Sequence, residues 1–197
     1  DQLNDCADLP SPLKGRSGTR LQKALRLRTL GNSERSAAEL SVIITSYNQG
    51  DLLLEAIASV ERSAPDSVRI ELLIVDDGST DMRTGEVLSH LDNLGYRVLR
   101  QANQGLSAAR NHGIKTAQSP ILLFLDDDNR LLPPYLTIGL EMLRRQSSID
   151  VVYGDRIDFG LIQRRQHIGL VSQAALWEMN RIDNCTLIRR TVFERCG

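Results

Sequence analysis

The sequence predicts an α/β fold with a mainly parallel central sheet and helices on both of its faces. Three observations predict it. Bulky apolar runs of strand length alternate with stretches of helical period from residue 40 onward. The run Ile121-Leu122-Leu123-Phe124-Leu125 is continuous enough to be a buried strand. The chain has 197 residues, enough for one such domain with a substantial core.

Residues 1–12, with Pro10 and Pro12, read as a loop or loose terminus. Residues 14–30 are basic, and Leu21, Ala24, Leu25 and Arg28 share a helical stripe. That pattern predicts a packed or capping helix. Its apolar face is narrow for a membrane-surface helix. Residues 31–39 are polar and read as a linker, so residues 1–39 form an N-terminal extension.

Leu40–Thr45 predicts the first strand, and Asp51–Ser63 a helix with Leu53, Leu54, Ile57 and Val60 facing inward. Arg69–Val75 predicts the second strand. Thr80–Leu91 predicts a helix, weakened by Gly85. Tyr96–Arg100 is a short strand and Gly105–Ala117 a helix. Pro120 then opens the strand Ile121–Leu125. Pro133-Pro134 are expected in the first turn of a helix running to about Gln146. Ile149–Tyr153 predicts another strand. After Gly154 the rhythm breaks, with helices expected at Ser172–Met179 and from Arg190 to Cys196.

Composition excludes several classes. The formal net charge of -1 gives no electrostatic footprint for nucleic acid. No apolar stretch is long enough to span a bilayer, and no secretory pattern opens the chain. Cys6, Cys185 and Cys196 show no zinc spacing and suit a reducing compartment. Cys185 and Cys196 are expected to pack as small apolar groups. These features predict a cytoplasmic location, with peripheral membrane contact left open.

The chemistry gathers where strands end. Asp126, Asp127 and Asp128 follow the fourth strand, at the carboxyl edge where open α/β sheets bind ligands. Adjacent carboxylates repel, and a divalent cation relieves the repulsion. Hard oxygen ligands suit Mg²⁺ or Mn²⁺, which in turn holds phosphates. The alternative is an acidic surface turn closed by Asn129. Thr45-Ser46-Tyr47-Asn48 follow the first strand. Tyr47 offers a ring for stacking, while Ser46 and Asn48 also suit a turn and cap. Asp76-Asp77-Gly78-Ser79-Thr80-Asp81 follow the second. Gly78 permits a tight turn, Ser79 or Thr80 is expected to cap the next helix, and Asp77 is able to accept from an imide N–H. In Asn103 to Gly113 the small residues let a helix lie close to the sheet, and Arg110 suits a phosphate or the aspartates. His112 reads as a surface or structural histidine rather than a ligand. His90 and His167 are isolated and receive no role. Glycine-rich dinucleotide, Gly-Lys-Ser/Thr and serine-elbow motifs are missing.

Four segments in this order resemble glycosyltransferase family 2. They are Val42-Ile-Ile-Thr-Ser-Tyr-Asn48, Leu73-Ile-Val-Asp-Asp-Gly-Ser-Thr-Asp81, Asn103-Gln-Gly-Leu-Ser-Ala-Ala-Arg-Asn111 and Leu123-Phe-Leu-Asp-Asp-Asp-Asn129. The resemblance covers residues 40–197. It implies a GT-A fold, a single Rossmann-like nucleotide-sugar-binding domain expected to be truncated at its C-terminal end. It implies an inverting transferase moving a sugar from a nucleoside-diphosphate donor, with UDP as the expected carrier, to a glycan, lipid or other hydroxyl acceptor. Mg²⁺ or Mn²⁺ is the implied cofactor. By position, Thr45 and Tyr47 map to the base pocket, Asp77 to the base contact and Arg110 to the nucleotide site. The DXD motif maps onto Asp126 and Asp128 as ribose and metal residues. Asp127 is an alternative for the ribose, and Asp128 is the expected direct metal ligand. Asn129 stands where the family often has another acid. The catalytic base is expected beyond Gly197. Asp183 is a weaker candidate, expected to shape the acceptor side, with Asp155 and Asp158 as further candidates there; for each of these acids an ordinary solvated charge is the favoured reading. The alternative function is a non-catalytic nucleotide-sugar-binding module. A nucleotidyltransferase or an aspartate-dependent phosphohydrolase fits less well. The first lacks its basic glycine-rich loop here, and the second lacks the needed lysine and acids.

Overall fold

The structure, a computed structural model, describes residues 38–179 and 182–196. The basic helix expected over residues 14–30 and the linker up to residue 37 lie outside the described residues.

Continuous apolar runs make the middle of the sheet. β1 (Leu40–Ser46) and β2 (Ile70–Asp76) are buried at every position. β3 (Arg97–Arg100) is a half-covered edge, and β4 (Ile121–Asp126) is buried up to its last residue. These four strands are parallel, in the order β3-β2-β1-β4. β5 (Val151–Val152) follows. β6 (Arg156–Asp158) and β7 (Arg164–Gln166) pair as a separate antiparallel hairpin. β8 (Leu187–Arg189) inserts antiparallel between β4 and β5 and completes a six-stranded sheet. The sheet is therefore mixed but mainly parallel.

The helices are α1 (Gly50–Ser63), α2 (Met82–Asn93), α3 (Leu106–Thr116), α4 (Tyr135–Arg145), α5 (Gln173–Glu178) and α6 (Arg190–Cys196). Side chains alternate across a strand, so one strand feeds two cores. Val42, Ile44, Leu123 and Leu125 meet Leu53, Ile57, Leu88, Leu136 and Leu140 from α1, α2 and α4. Ile43, Leu122 and Phe124 point the other way, onto Ala109 and Ile114 of α3 and Phe193 of α6. Each buried Leu or Ile contributes roughly 1.5–3 kcal/mol. α3 lies close to the sheet because its inward residues are small. A Cβ on Gly113 would stand 2.4 Å from Ile43 Cγ2.

Local chemistry shifts several expected boundaries. Asp81, rather than Ser79 or Thr80, caps α2: its carboxylate accepts from the Arg83 and Thr84 amides, and the helix starts at Met82. Pro133 and Pro134 precede α4 instead of occupying its first turn, and Pro134 is the N-cap with φ -102° and ψ 34°. A residue before proline is driven out of the helical region, which displaces Pro133. Tyr96 leaves the edge strand, its amide donating to Leu91 O of α2. The strand expected at Ile149–Tyr153 shortens to Val151–Val152. Cys185 packs against the core, and burial pushes its thiol up to about 12. Cys196 does not pack as expected: it is exposed in the last turn of α6, the helix that turns Phe193 to the sheet. Among the described residues no helix is long and apolar enough to cross a membrane.

Candidate functional site

Parallel pairing brings three strand tips level. Ser46 is in register with Asp76, and Thr45 with Asp126. The connection from β1 leads toward β2 on one side, while β4 lies on the other. That reversal opens a crevice at the carboxyl edge of a parallel sheet. A cavity of about 390 Å³ occupies it, a size suited to a small ligand. Thr45, Ser46, Tyr47 and Gln49 line it from β1 and the following loop, and Asp77 from the tip of β2. Asn103, Gly105, Leu106 and Ala109 line it from the start of α3, and Asp126, Asp127 and Asp128 from the tip of β4. The sequence-derived residues Thr45, Tyr47, Asp77, Asp126, Asp127 and Asp128 therefore share one cavity. Arg110 and Asp183 do not line it.

The loop after β1 is stitched to the loop after β2. Asn48 adopts φ 57°, a left-handed geometry that asparagine tolerates. Its amide donates to Ser79 Oγ at 3.0 Å, and its Oδ1 accepts from the Thr80 and Asp81 amides at 2.8 and 3.0 Å. The Gly50 amide donates to Thr84 Oγ1 at 2.9 Å. Tyr47, between these anchors, keeps a half-exposed ring, 45% accessible, at the cavity.

Asp76 and Asp77 both have partners, where the sequence shows two carboxylates with no charge partner. Asp76 Oδ1 accepts from the Ser79 amide at 3.0 Å. Asp77, buried, accepts at Oδ1 from Gln101 Nε2 at 2.8 Å and the Gln104 amide at 3.0 Å. At Oδ2 it accepts from the Gly105 amide at 2.8 Å. Asp77 thus caps α3 from across the sheet edge, taking amides a helix start leaves unpaired. Gly78 fits beside this contact only without a side chain: its φ is +76°, and a Cβ would meet the Asn103 amide nitrogen at 2.7 Å.

The aspartate triplet is both a turn and a cavity wall. The Asn129 amide donates to Asp126 O at 3.0 Å, closing a turn around Asp127 and Asp128. That turn splits the triplet into three environments. Asp126 Oδ1 accepts from Arg110 Nη2 at 2.6 Å in a half-buried ion pair. Asp128 is exposed. Asp127 is buried, and its Oδ2 has no hydrogen-bond partner. Burial pushes the Asp127 carboxyl up to about 6. Ser46 and the Tyr47 amide offset part of the rise, and the neighbouring Asp128 and Asp126 charges add to it.

Among the described residues no three His, Cys, Asp or Glu side chains gather as a ready metal cage. Asp126 and Asp128 still line one cavity with hard oxygen donors. Mg²⁺ typically takes one or two carboxylates and fills its remaining positions with phosphate and water oxygens. The donor set fits such an ion once a phosphate ligand is present.

The acids further along the chain are held locally. Asp183 Oδ1 accepts from the Cys185 amide at 2.9 Å, and its Oδ2 lies 4.0 Å from Arg156 Nη1. Asp155 accepts from His167 Nδ1 at 3.0 Å and the Ile168 amide at 3.0 Å. The His167 contact comes first in holding its carboxyl down at about 2. Asp158 accepts from Gln166 across the β6–β7 hairpin. One residue that holds the candidate site escaped the sequence reading. Gln101, just past the end of β3, holds Asp77 and is itself met by His112 Nδ1 at 2.9 Å. The available signal was a polar residue at the tip of β3, beside the acid-bearing tip of β2.

Comparison with known proteins agrees with this fold. The family model described as Glycosyl transferase family 2 matches residues 41–197. The chain is 36% identical over 114 residues to the uncharacterized glycosyltransferase YibD of Escherichia coli (strain K12), covering 54% of this chain and 32% of YibD. It is 34% identical over 117 residues to validoxylamine A glucosyltransferase of Streptomyces hygroscopicus subsp. jinggangensis, covering 58% of this chain and 28% of that protein. Its fold is similar to S. aureus TarS 1-349 crystallised with UDP-GlcNAc. There the TM-score is 0.65 at 21% identity, over 80% of this chain and 47% of that one. The matches thus span less than a third of the length of the two curated relatives.

Proposed function

The chain belongs to glycosyl transferase family 2, and from that membership we propose that it binds a UDP-sugar at the tips of β1, β2 and β4 and passes the sugar, with inversion, to an acceptor hydroxyl. The observation that carries this reading is the pairing across one cavity of Asp77 with the Asp126–Asp128 turn, on either side of β1. The half-exposed Tyr47 ring stacks on the base. Asp77 accepts from the uracil imide N–H. Asp126 and Asp127 accept from ribose hydroxyls, and Arg110 holds Asp126 in place through its ion pair. Asp128, with Asp126, would hold Mg²⁺ or Mn²⁺. The ion, when bound, supplies positive charge against the diphosphate leaving group.

In the transfer, the acceptor oxygen bonds to the anomeric carbon as the bond from that carbon to the phosphate oxygen breaks. The diphosphate leaves with the electron pair, and the acceptor proton passes to a base. No cavity residue is assigned as that base, because this reading gives the acids at the tips of β2 and β4 to the donor and the metal. The alternative reading, a nucleotide-sugar-binding module without turnover, draws on Asp183. That acid is tied to the Cys185 amide and to Arg156 rather than presented to an acceptor.

Isothermal titration with UDP, with and without Mn²⁺, tests the proposal. Tighter binding with Mn²⁺ is expected, and Asp128→Ala should remove that metal response while leaving weak metal-free binding. No UDP binding in either condition defeats the reading. Release of UDP from a UDP-sugar in the presence of acceptor mixtures separates transferase from binding module.

A further inference from the structure

We propose that His112 is a positioning residue for the base pocket: through the Gln101 carboxamide it decides which acceptor position of Asp77 stays open, and so selects a base carrying a ring N–H. This inference rests on the nucleotide-site reading above.

The argument starts from counting lone pairs. An ionised carboxylate offers about four acceptor positions and no donor. Asp77 uses two at Oδ1, for Gln101 Nε2 and the Gln104 amide, and one at Oδ2, for the Gly105 amide. The position left is on Oδ2, and Asp77 lines the cavity. A ligand group reaching it must donate. Uracil presents an N3–H between two carbonyls; cytosine has a donor on this edge only in its exocyclic N4 amino group, and bringing that group to the single open position on Oδ2 sets the adjacent N3 lone pair beside the carboxylate, which repels it.

The arrangement holds only while Gln101 keeps its amide group toward Asp77. With Nε2 facing a carboxylate, Oε1 faces away from it, and there it meets His112 Nδ1 at 2.9 Å. An oxygen acceptor opposite Nδ1 requires a proton on Nδ1. Reversing the carboxamide would set Oε1 against Asp77 Oδ1 and an N–H against the Nδ1–H, two mismatches at once. His112, on α3, and Gln101, past β3, therefore lock each other. Without the Nδ1–H, the carboxamide is free to swing, Oδ1 regains an open lone pair, and Asp77 accepts less selectively, from exocyclic amino groups as well.

Titration of the chain with UDP and with CDP tests this. Wild type should prefer UDP. His112→Phe, which keeps the ring and loses the donor, should weaken UDP binding about tenfold and narrow the UDP/CDP ratio by a similar factor. His112→Asn, whose side-chain N–H stands near the place of Nδ1–H, should restore the preference. Gln101→Met should reproduce the loss without altering α3. In the free wild-type chain, ¹⁵N spectra above pH 8 should show the Nδ1–H tautomer at His112. An Nε2–H tautomer overturns the proposal, as does a UDP preference that persists in both His112→Phe and Gln101→Met. A wild-type chain that binds neither nucleotide overturns the underlying reading and this inference with it.

Discussion

Asp127 is where a single side chain sets a measurable trade. Its neighbours Asp126 and Asp128 have a guanidinium partner and solvent respectively, while Asp127 has burial and an unpaired Oδ2. The folded carboxyl rises from 3.8 to about 6, with burial as the first cause. Between those values the folded state holds the proton more tightly than the unfolded chain. The stability this supplies is fully present below pH 4 and is lost as pH rises through 6. At neutral pH the ionised group costs up to about 3 kcal/mol. Asp127→Asn should therefore raise Tm at pH 7.5 in metal-free buffer, with a much smaller gain at pH 4.5. Equal melting of variant and wild type at both values would remove the buried charge from the account. The sequence shows three adjacent aspartates and their repulsion. It does not show which one turns inward, because that follows from the Asp126–Asn129 turn rather than from residue type.

At the scale of elements, close packing of α3 on the sheet depends on a missing side chain. The small residues between Asn103 and Gly113 already implied a helix near the strands, and Gly113 lies directly against Ile43. Gly113→Ala should destabilise by roughly 1–3 kcal/mol, since the new Cβ overlaps Ile43 Cγ2. In an Ile43→Ala background the same change should cost distinctly less, because the overlap is gone. Purely additive losses in chemical denaturation would mean that some other contact governs the site. The parallel strands β1, β2 and β4 were legible because burial on both faces leaves continuous apolar runs. β8 was not legible. It has three residues, and long-range side-chain contacts hold it. Arg189 donates to the carbonyls of Leu143, Gln146 and Ile149, and Arg190 donates to Ser119 O. The β6–β7 hairpin was hidden for a similar reason: all its strand residues but Ile157 are polar, and its pairing is supported by Gln166–Asp158 rather than by alternating apolar residues.

Across the whole molecule, the two ends of the parallel sheet carry different tasks. Toward the amino ends of the strands, buried Glu71 accepts from Ser41 Oγ at 2.5 Å and the Gln118 amide at 2.9 Å, and pairs with Arg97 at 2.7 Å. That closed network fixes β1, β2 and β3 against the chain entering β4. At the carboxyl ends the polar groups are only partly spent. Asn48 spends its side chain tying the β1 loop to the β2 loop, while Asp77 and the Asp126–Asn129 turn use amides to shape their loops and still present groups to one cavity. A ligand bound there touches several loops at once and should slow their opening together, since it binds only the folded arrangement. Hydrogen exchange with UDP and Mn²⁺ should therefore protect residues 46–50, 77–81, 101–106 and 127–129 as a set. The β6–β7 hairpin, outside that wall, should exchange at its ligand-free rate. Protection confined to the hairpin, or to a single strand tip, would place the ligand elsewhere and undo the assignment of this edge as one shared donor site.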